Sequence, residues 1–177
     1  NMLNVRFILT RSKNGAVIGQ RNPYTNGNAW FVENVLMVES ADAEITQLDS
    51  INTKNTAIVH KEFLPYLPLA NIQRDSTATI DLLSHKPNHL VYEAASGSEQ
   101  LAVFSEIYYP KGWNAYIDGK PVSHIRVNYL LRALKIPAGY SKIEFKFEPS
   151  IIKTGSTIAL FSSVLLLLFI LIILWYT

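Results

Sequence analysis

The 177-residue chain contains no cysteine. That removes disulfide scaffolds, cysteine-ligated zinc, iron–sulfur clusters and thiol nucleophiles together. It leaves the compartment open, since periplasmic domains often do without disulfides. No Asn-x-Ser/Thr acceptor occurs, so nothing marks a glycosylated ectodomain. Charge of one sign is also scarce: the net charge is +2, and Lys and Arg are scattered with no block of five or six. That pattern speaks against a nucleic-acid partner and allows only a weak preference for a membrane surface. There is no Gly-rich phosphate loop, no supported Ser/His/Asp grouping, no internal repeat and no low-complexity tract.

Charge is absent altogether from Gly155 to Thr177, and Val164 to Leu174 holds no polar side chain. About 20 apolar residues in a helix reach roughly 30 Å, the thickness of a bilayer's hydrocarbon core. Lys153 precedes the run, and Trp175 and Tyr176 close it with aromatics suited to the headgroup level. Residues 153–177 therefore read as a transmembrane helix, and its C-terminal place excludes a signal peptide. At the other end the chain opens on a strand-like run, Asn1 to Leu9, without an initiator methionine or targeting segment. The expectation is a piece of a longer polypeptide that continues upstream.

Residues 1–152 suit one β-rich domain, with 1–72 and 73–152 as candidate subdomains. Val5 to Leu9 reads as a strand, and the stretch from Arg11 to Asn28 as turns around Asn14-Gly15 and Asn26-Gly27. Trp30 to Val38 is one β-prone segment. Ser40 can cap a short helix with Asp42 and Glu44 in a solvated first turn and Ile45, Leu48 and Ile51 on its apolar face. Thr56 to Val59 is a strand, and Pro65 and Pro68 break the chain into a loop. Thr77 to Leu82 and Leu90 to Ala95 form a hairpin about Lys86-Pro87-Asn88. Leu101 to Ile107 reads as a buried strand. Trp113 to Ile117 and Pro121 to Val127 flank Asp118-Gly119, the dipeptide suited to a tight hairpin turn. Tyr129 to Ile136 is a further strand, and Pro137-Ala138-Gly139 leads into Lys142 to Glu148, where Ile143, Phe145 and Phe147 alternate with charged residues. The fold class is mainly β: an antiparallel β-sandwich with one short helix, followed by the C-terminal transmembrane helix.

The block Tyr108-Tyr109-Pro110-Lys111-Gly112-Trp113, the Asp118-Gly119 turn, Asn128 to Ala133, Ile136 to Gly139 and Ile143 to Pro149 together resemble the C-terminal end of the YfhO family of bacterial polytopic membrane proteins. Leu3 to Ile8 and Asn26 to Val32 are similar to segments upstream in that family, so the resemblance covers nearly the whole chain. It implies a parent like the C-type membrane glycosyltransferases, which take sugar from a polyprenyl-phosphate donor on the outer side of the cytoplasmic membrane. The catalytic carboxylate and metal-binding acids of such enzymes lie in loops between early membrane helices, which this sequence does not contain. No catalytic residue, metal ligand or cofactor site carries over, and a divalent metal belongs to the parent alone.

Tyr108, Tyr109, Trp113 and Tyr116 cluster about a hairpin, and aromatic rings can stack on the apolar faces of sugars. Tyr109, Trp113, Tyr116, Arg126 and Arg132 are thus candidate glycan contacts. The plainer reading makes the aromatics sandwich core and the two arginines surface residues. His85 and His89 have the i, i+4 spacing of a metal pair, but Pro87 between them forbids a regular helix. The expected role is a non-catalytic extracytoplasmic domain and last span of a glycosyltransferase-like protein. Its expected partners are the bilayer, the upstream membrane core and a cell-envelope glycan or lipid-linked sugar. The rival is a self-contained membrane-anchored glycan-binding or adhesion module. Lys142, Lys146 and Lys153 precede the span with nothing basic after it, which by charge alone reads as a cytoplasmic domain; that rule weakens for large translocated domains, and the resemblance implies the extracytoplasmic side.

Overall fold

A computed structural model describes residues 1–67 and 75–176. Pro68 and the 72/73 subdomain boundary lie outside the described residues. The N-terminal hairpin pairs β1 (Phe7–Arg11) with β2 (Val17–Arg21). β3 (Ala29–Val32) and β4 (Asn34–Val38) follow, then α1 (Ala41–Gln47), β5 (Thr56–His60) and a 3-10 turn at Lys61–Tyr66. The C-terminal half supplies β6 (Thr79–Lys86), β7 (His89–Ser96), β8 (Gln100–Ile107), β9 (Trp113–Ile117), β10 (Lys120–Val122), β11 (Ile125–Val127), β12 (Leu131–Ile136) and β13 (Gly139–Phe147). The long helix α2 (Ser150–Tyr176) ends the described chain.

Three layers result. A five-stranded sheet, β10-β9-β13-β7-β6, packs on a four-stranded sheet, β11-β12-β8-β3, whose other face is covered by the pair β4-β5. Leu90, Tyr92, Ile143 and Phe145 meet Phe104, Leu134 and Ile136 in the first interface. Trp30, Val32, Leu101 and Val103 meet Ala57 and Val59 in the second. The middle sheet is therefore buried on both faces, which is why Leu101 to Phe104 and Leu131 to Leu134 run without an exposed position. Tyr92, Phe104 and Phe145 meet edge to face at its centre, with ring centroids 4.9 to 6.2 Å apart.

Several sequence expectations change in detail. The Arg11 to Asn28 stretch contains a strand, β2, turned by Gly15 at φ 83°. The segment from Trp30 to Val38 is two strands in different sheets, and β4 and β5 are parallel, joined through α1. The Pro121 to Val127 stretch also divides, because β10 stays with β9 while β11 crosses to the middle sheet through Ser123-His124. The Asp118-Gly119 turn is as expected, with φ of 50° and 76°. Asp118 also accepts the Lys142 N–H through Oδ1 at 2.9 Å, tying the turn to β13.

Ser40 caps α1 by accepting the Ala43 N–H at 3.1 Å, but the helix presents a different face from the expected one. Ile45 is half exposed and Glu44 is fully buried. Glu44 accepts the Tyr129 N–H at 2.6 Å and an Arg126 Nη2 hydrogen bond at 3.1 Å. The physical reason lies in the β11–β12 turn, where Asn128 and Tyr129 adopt φ of 51° and 72°. A left-handed tyrosine is strained, and the buried carboxylate holds its amide in place. Asn128 locks the same turn to β5, accepting the Ile58 N–H at 2.8 Å and donating its own N–H to the Ile58 carbonyl at 2.9 Å.

Only Glu148 and Pro149 separate β13 from α2, so one end of the sandwich adjoins the long helix. At that end Phe147 stands opposite Trp113, and the Glu148 N–H donates to the Gly112 carbonyl at 2.7 Å. The end of β8 and the start of β3 lie at this same end, with the Ser105 N–H donating to the Asn28 carbonyl. α2 has 27 residues, about 40 Å of helix, and every described side chain on it is exposed. It is long and apolar enough to cross a bilayer.

Candidate functional site

A cleft of about 700 Å³ opens beside the helix-bearing end of the sandwich. Its walls come from the 3-10 turn, the β8–β9 link, the β9–β10 edge and the Ser123-His124 crossover. Aromatic side chains dominate: Phe63, Tyr66, Tyr108, Trp113 and Tyr116, with Glu62, Asn114 and His124 among them. The crossover of the chain from one sheet to the other leaves the two layers unclosed here, which is what makes the concavity.

The Tyr108 to Trp113 block is built to hold this wall. Gly112 is buried, and a Cβ there would overlap the Phe147 ring, so only glycine lets Trp113 start its strand against Phe147. Trp113 is half-buried, its ring 5.4 Å from that of Phe147. Behind it lies the Arg132 guanidinium, 4.3 Å from the Trp113 ring centroid and 5.1 Å from that of Phe145. Trp113 thus belongs to both the core rim and the cleft, whereas Phe145 is core throughout.

Arg132 is 2% exposed, which overturns its reading as a surface residue. It shares the inner face of β12 with Leu134 and Ile136, and its Nε donates to the Ile107 carbonyl at 2.8 Å where the pairing with β8 is irregular. Burial lowers its pKa, opposed by the nearby Glu106 charge. Aromatic faces and the nearby Glu106 charge together compensate the buried cation. Burial raises the neighbouring Tyr92 phenol, reinforced by Glu106. His124 packs on Tyr108 and Phe145, and burial, then the Arg132 charge, pushes its pKa down to about 4. Among the described residues, His124 Nε2, Tyr92 OH and one Arg132 nitrogen have no hydrogen-bond partner.

Arg126 is not an ordinary surface residue either. It stands between Glu44 and Glu62, 3.1 and 3.6 Å away, and within 5.8 Å of the Phe63 ring centroid. Of the five candidate glycan contacts, Trp113 and Tyr116 line the cleft; Tyr109 is exposed outside its lining, and Arg126 and Arg132 support it from behind. Tyr116 OH donates to Glu148 at 2.8 Å, and Lys146 Nζ sits 4.8 Å from its ring centroid. Tyr108, named in the aromatic cluster, also lines the cleft, whereas Phe63, Tyr66 and His124 carry no sequence expectation of a site. The contribution of the 3-10 turn had no local signal, because contacts remote in sequence bring it to the β9 edge.

His85 and His89 do not converge. His89 Nε2 is 2.8 Å from Glu144, while His85 lies 3.6 Å from Glu106. Burial works to raise the Glu144 pKa, but the His89 hydrogen bond and the charges of Lys146 and Lys142 outweigh it and leave Glu144 below its usual range. Among the described residues no group of three or more His, Asp or Glu is placed to hold a metal ion.

No curated protein and no solved structure matches the chain. A family model described as bacterial membrane protein YfhO matches residues 45–159, more than half of the chain, from α1 through the cleft to the first turns of α2. The chain therefore belongs to the YfhO family of bacterial membrane proteins.

Proposed function

We propose that this chain is the extracytoplasmic C-terminal domain and last span of a polytopic glycosyltransferase-like membrane protein, and that its aromatic cleft receives the saccharide part of a lipid-linked donor or cell-envelope acceptor. The observation that carries this reading is position: the cleft lies at the end of the sandwich that adjoins α2, where a sugar carried on a lipid would present itself. Its lining suits a neutral saccharide. Tyr and Trp rings offer apolar faces for stacking, and Glu62, Asn114 and the Tyr66 and Tyr108 hydroxyls offer hydrogen bonds to ring substituents. Transfer from a polyprenyl phosphate needs a positioned base or metal. In this reading the parent's membrane core supplies both, and the domain positions substrate.

The test uses the full chain in nanodiscs with polyprenyl-phosphate sugars and a glycan panel. Saturation transfer from protein to sugar protons is expected, and it is expected to fall away in Tyr66→Ala and Tyr116→Ala without loss of the fold. No turnover is expected from this chain alone. Sugar transfer or hydrolysis that survives repurification, or saturation transfer indifferent to both substitutions, would overturn the reading.

A further inference from the structure

We propose that the β1–β2 hairpin is a second membrane contact, docking on an anionic phospholipid surface beside α2. Residues 1–32 hold Arg6, Arg11, Lys13 and Arg21 and not one Asp or Glu. All four cations are exposed, and the ion pairs among the described residues involve none of them.

The apolar side chains beside them are uncovered as well. The register places Phe7, Leu9 and Val17 with Arg11 and Arg21 on one face of the hairpin, and Ile8 and Ile18 on the other. Phe7, Leu9 and Val17 are 64 to 73% exposed. A two-stranded hairpin is marginal in water at best, so one with apolar residues on both faces calls for a partner. Apolar side chains ringed by cations without acids match the boundary where acyl chains meet anionic headgroups. A second copy of this chain is disfavoured as the partner, because it would bring the same four cations.

The fold puts this surface in the right place. The hairpin's root is tied to the helix-bearing end of the sandwich: Asn4 Nδ2 donates to Asn28 Oδ1 at 2.8 Å, and Ser105 Oγ donates to the Met2 carbonyl at 2.9 Å. The hairpin thus springs from the end at which α2 begins. None of its residues lines the cleft, so the contact would be distinct from it.

The chain has no cysteine, so one introduced cysteine gives a unique label site. Full-length Leu9→Cys and, as the control on the exposed edge strand β10 midway along the sandwich, Lys120→Cys would carry an environment-sensitive fluorophore. Both would be reconstituted in phosphatidylcholine vesicles with and without phosphatidylglycerol, including a trace of nitroxide-labelled lipid. The label at position 9 is expected to blue-shift and be quenched by the nitroxide in anionic vesicles only. High salt, or Arg6→Gln, Arg11→Gln, Lys13→Gln and Arg21→Gln combined, should abolish this while leaving sugar binding in the cleft intact. The label at position 120 should stay water-like throughout. The proposal is overturned if position 9 is as water-exposed as position 120 in anionic vesicles. It is equally overturned if its blue shift comes without nitroxide quenching, as a protein contact would give, or survives removal of the four charges.

Discussion

Leu101-Ala102-Val103-Phe104 in β8 and Phe7-Ile8-Leu9 in β1 are runs of similar hydrophobicity with opposite fates. Every residue of the first is at most 1% exposed, and every residue of the second is at least 48% exposed. The difference is one of partners: β8 has a sheet neighbour on each side and a packed layer on each face, while β1 pairs, among the described residues, with β2 alone. Apolar content therefore marks surface that must be covered, and the tertiary arrangement determines whether the cover comes from the same chain.

The sharpest way to break this comparison is to truncate within the doubly buried sheet. Phe104→Ala should cost about 3 to 5 kcal/mol, read from denaturant unfolding of the full chain in neutral detergent by tryptophan fluorescence. An unchanged midpoint would mean that the three layers do not share a core. Next in size is Glu44→Ala, expected to cost about 2 kcal/mol because it leaves the strained Tyr129 amide without its acceptor and takes one of two carboxylates from the half-buried Arg126. Pairing Glu44→Leu with Arg126→Leu should recover part of that loss, whereas simple additivity would show that the pair is not coupled.

His124 extends the contrast to pH. The fold holds this imidazole neutral with a pKa of about 4, so below 6.5 the unfolded chain binds the extra proton. Stability should therefore be unaffected above pH 6.5 and decline as pH falls from 6.5 towards 4. His124→Phe should flatten that segment of the profile; an unaltered slope would place its origin in other groups. Gly119→Val should cost about 1 kcal/mol, with no clash to add because the turn is open and only the positive φ is at stake. The smallest effect belongs to the hairpin: Leu9→Asn should shift stability by no more than about 0.5 kcal/mol in neutral detergent. A cost near that of Phe104→Ala would mean that β1 packs on something in the free chain.

Much of the β architecture was legible because period-two alternation and turn chemistry are local. The Lys86 to Asn88 and Asp118-Gly119 hairpins, the burial of Ile143 and Phe145, and the apolar helix after Pro149 all follow from side chains near in sequence. The cleft was only half legible. Trp113 and Tyr116 sit beside the turn that announces them, but the Phe63 and Tyr66 walls are remote from it in sequence, and His124 joins them only because the chain changes sheets at Ser123-His124.

The sequence by itself determined the turns, most strand positions, the long apolar helix and the glycine at 112 that the Tyr-Pro-Lys-Gly-Trp block carries. Only the tertiary structure decided that Glu44 is buried, that Arg132 lives among aromatic rings, and that β10 and β11 part to adjacent layers. The physical reason is that alternation states which residues share a face, but not what that face meets. A charge on an inward face is tolerated only where remote groups compensate it, as Tyr129 and Arg126 do for Glu44 and as Trp113 and Phe145 do for Arg132.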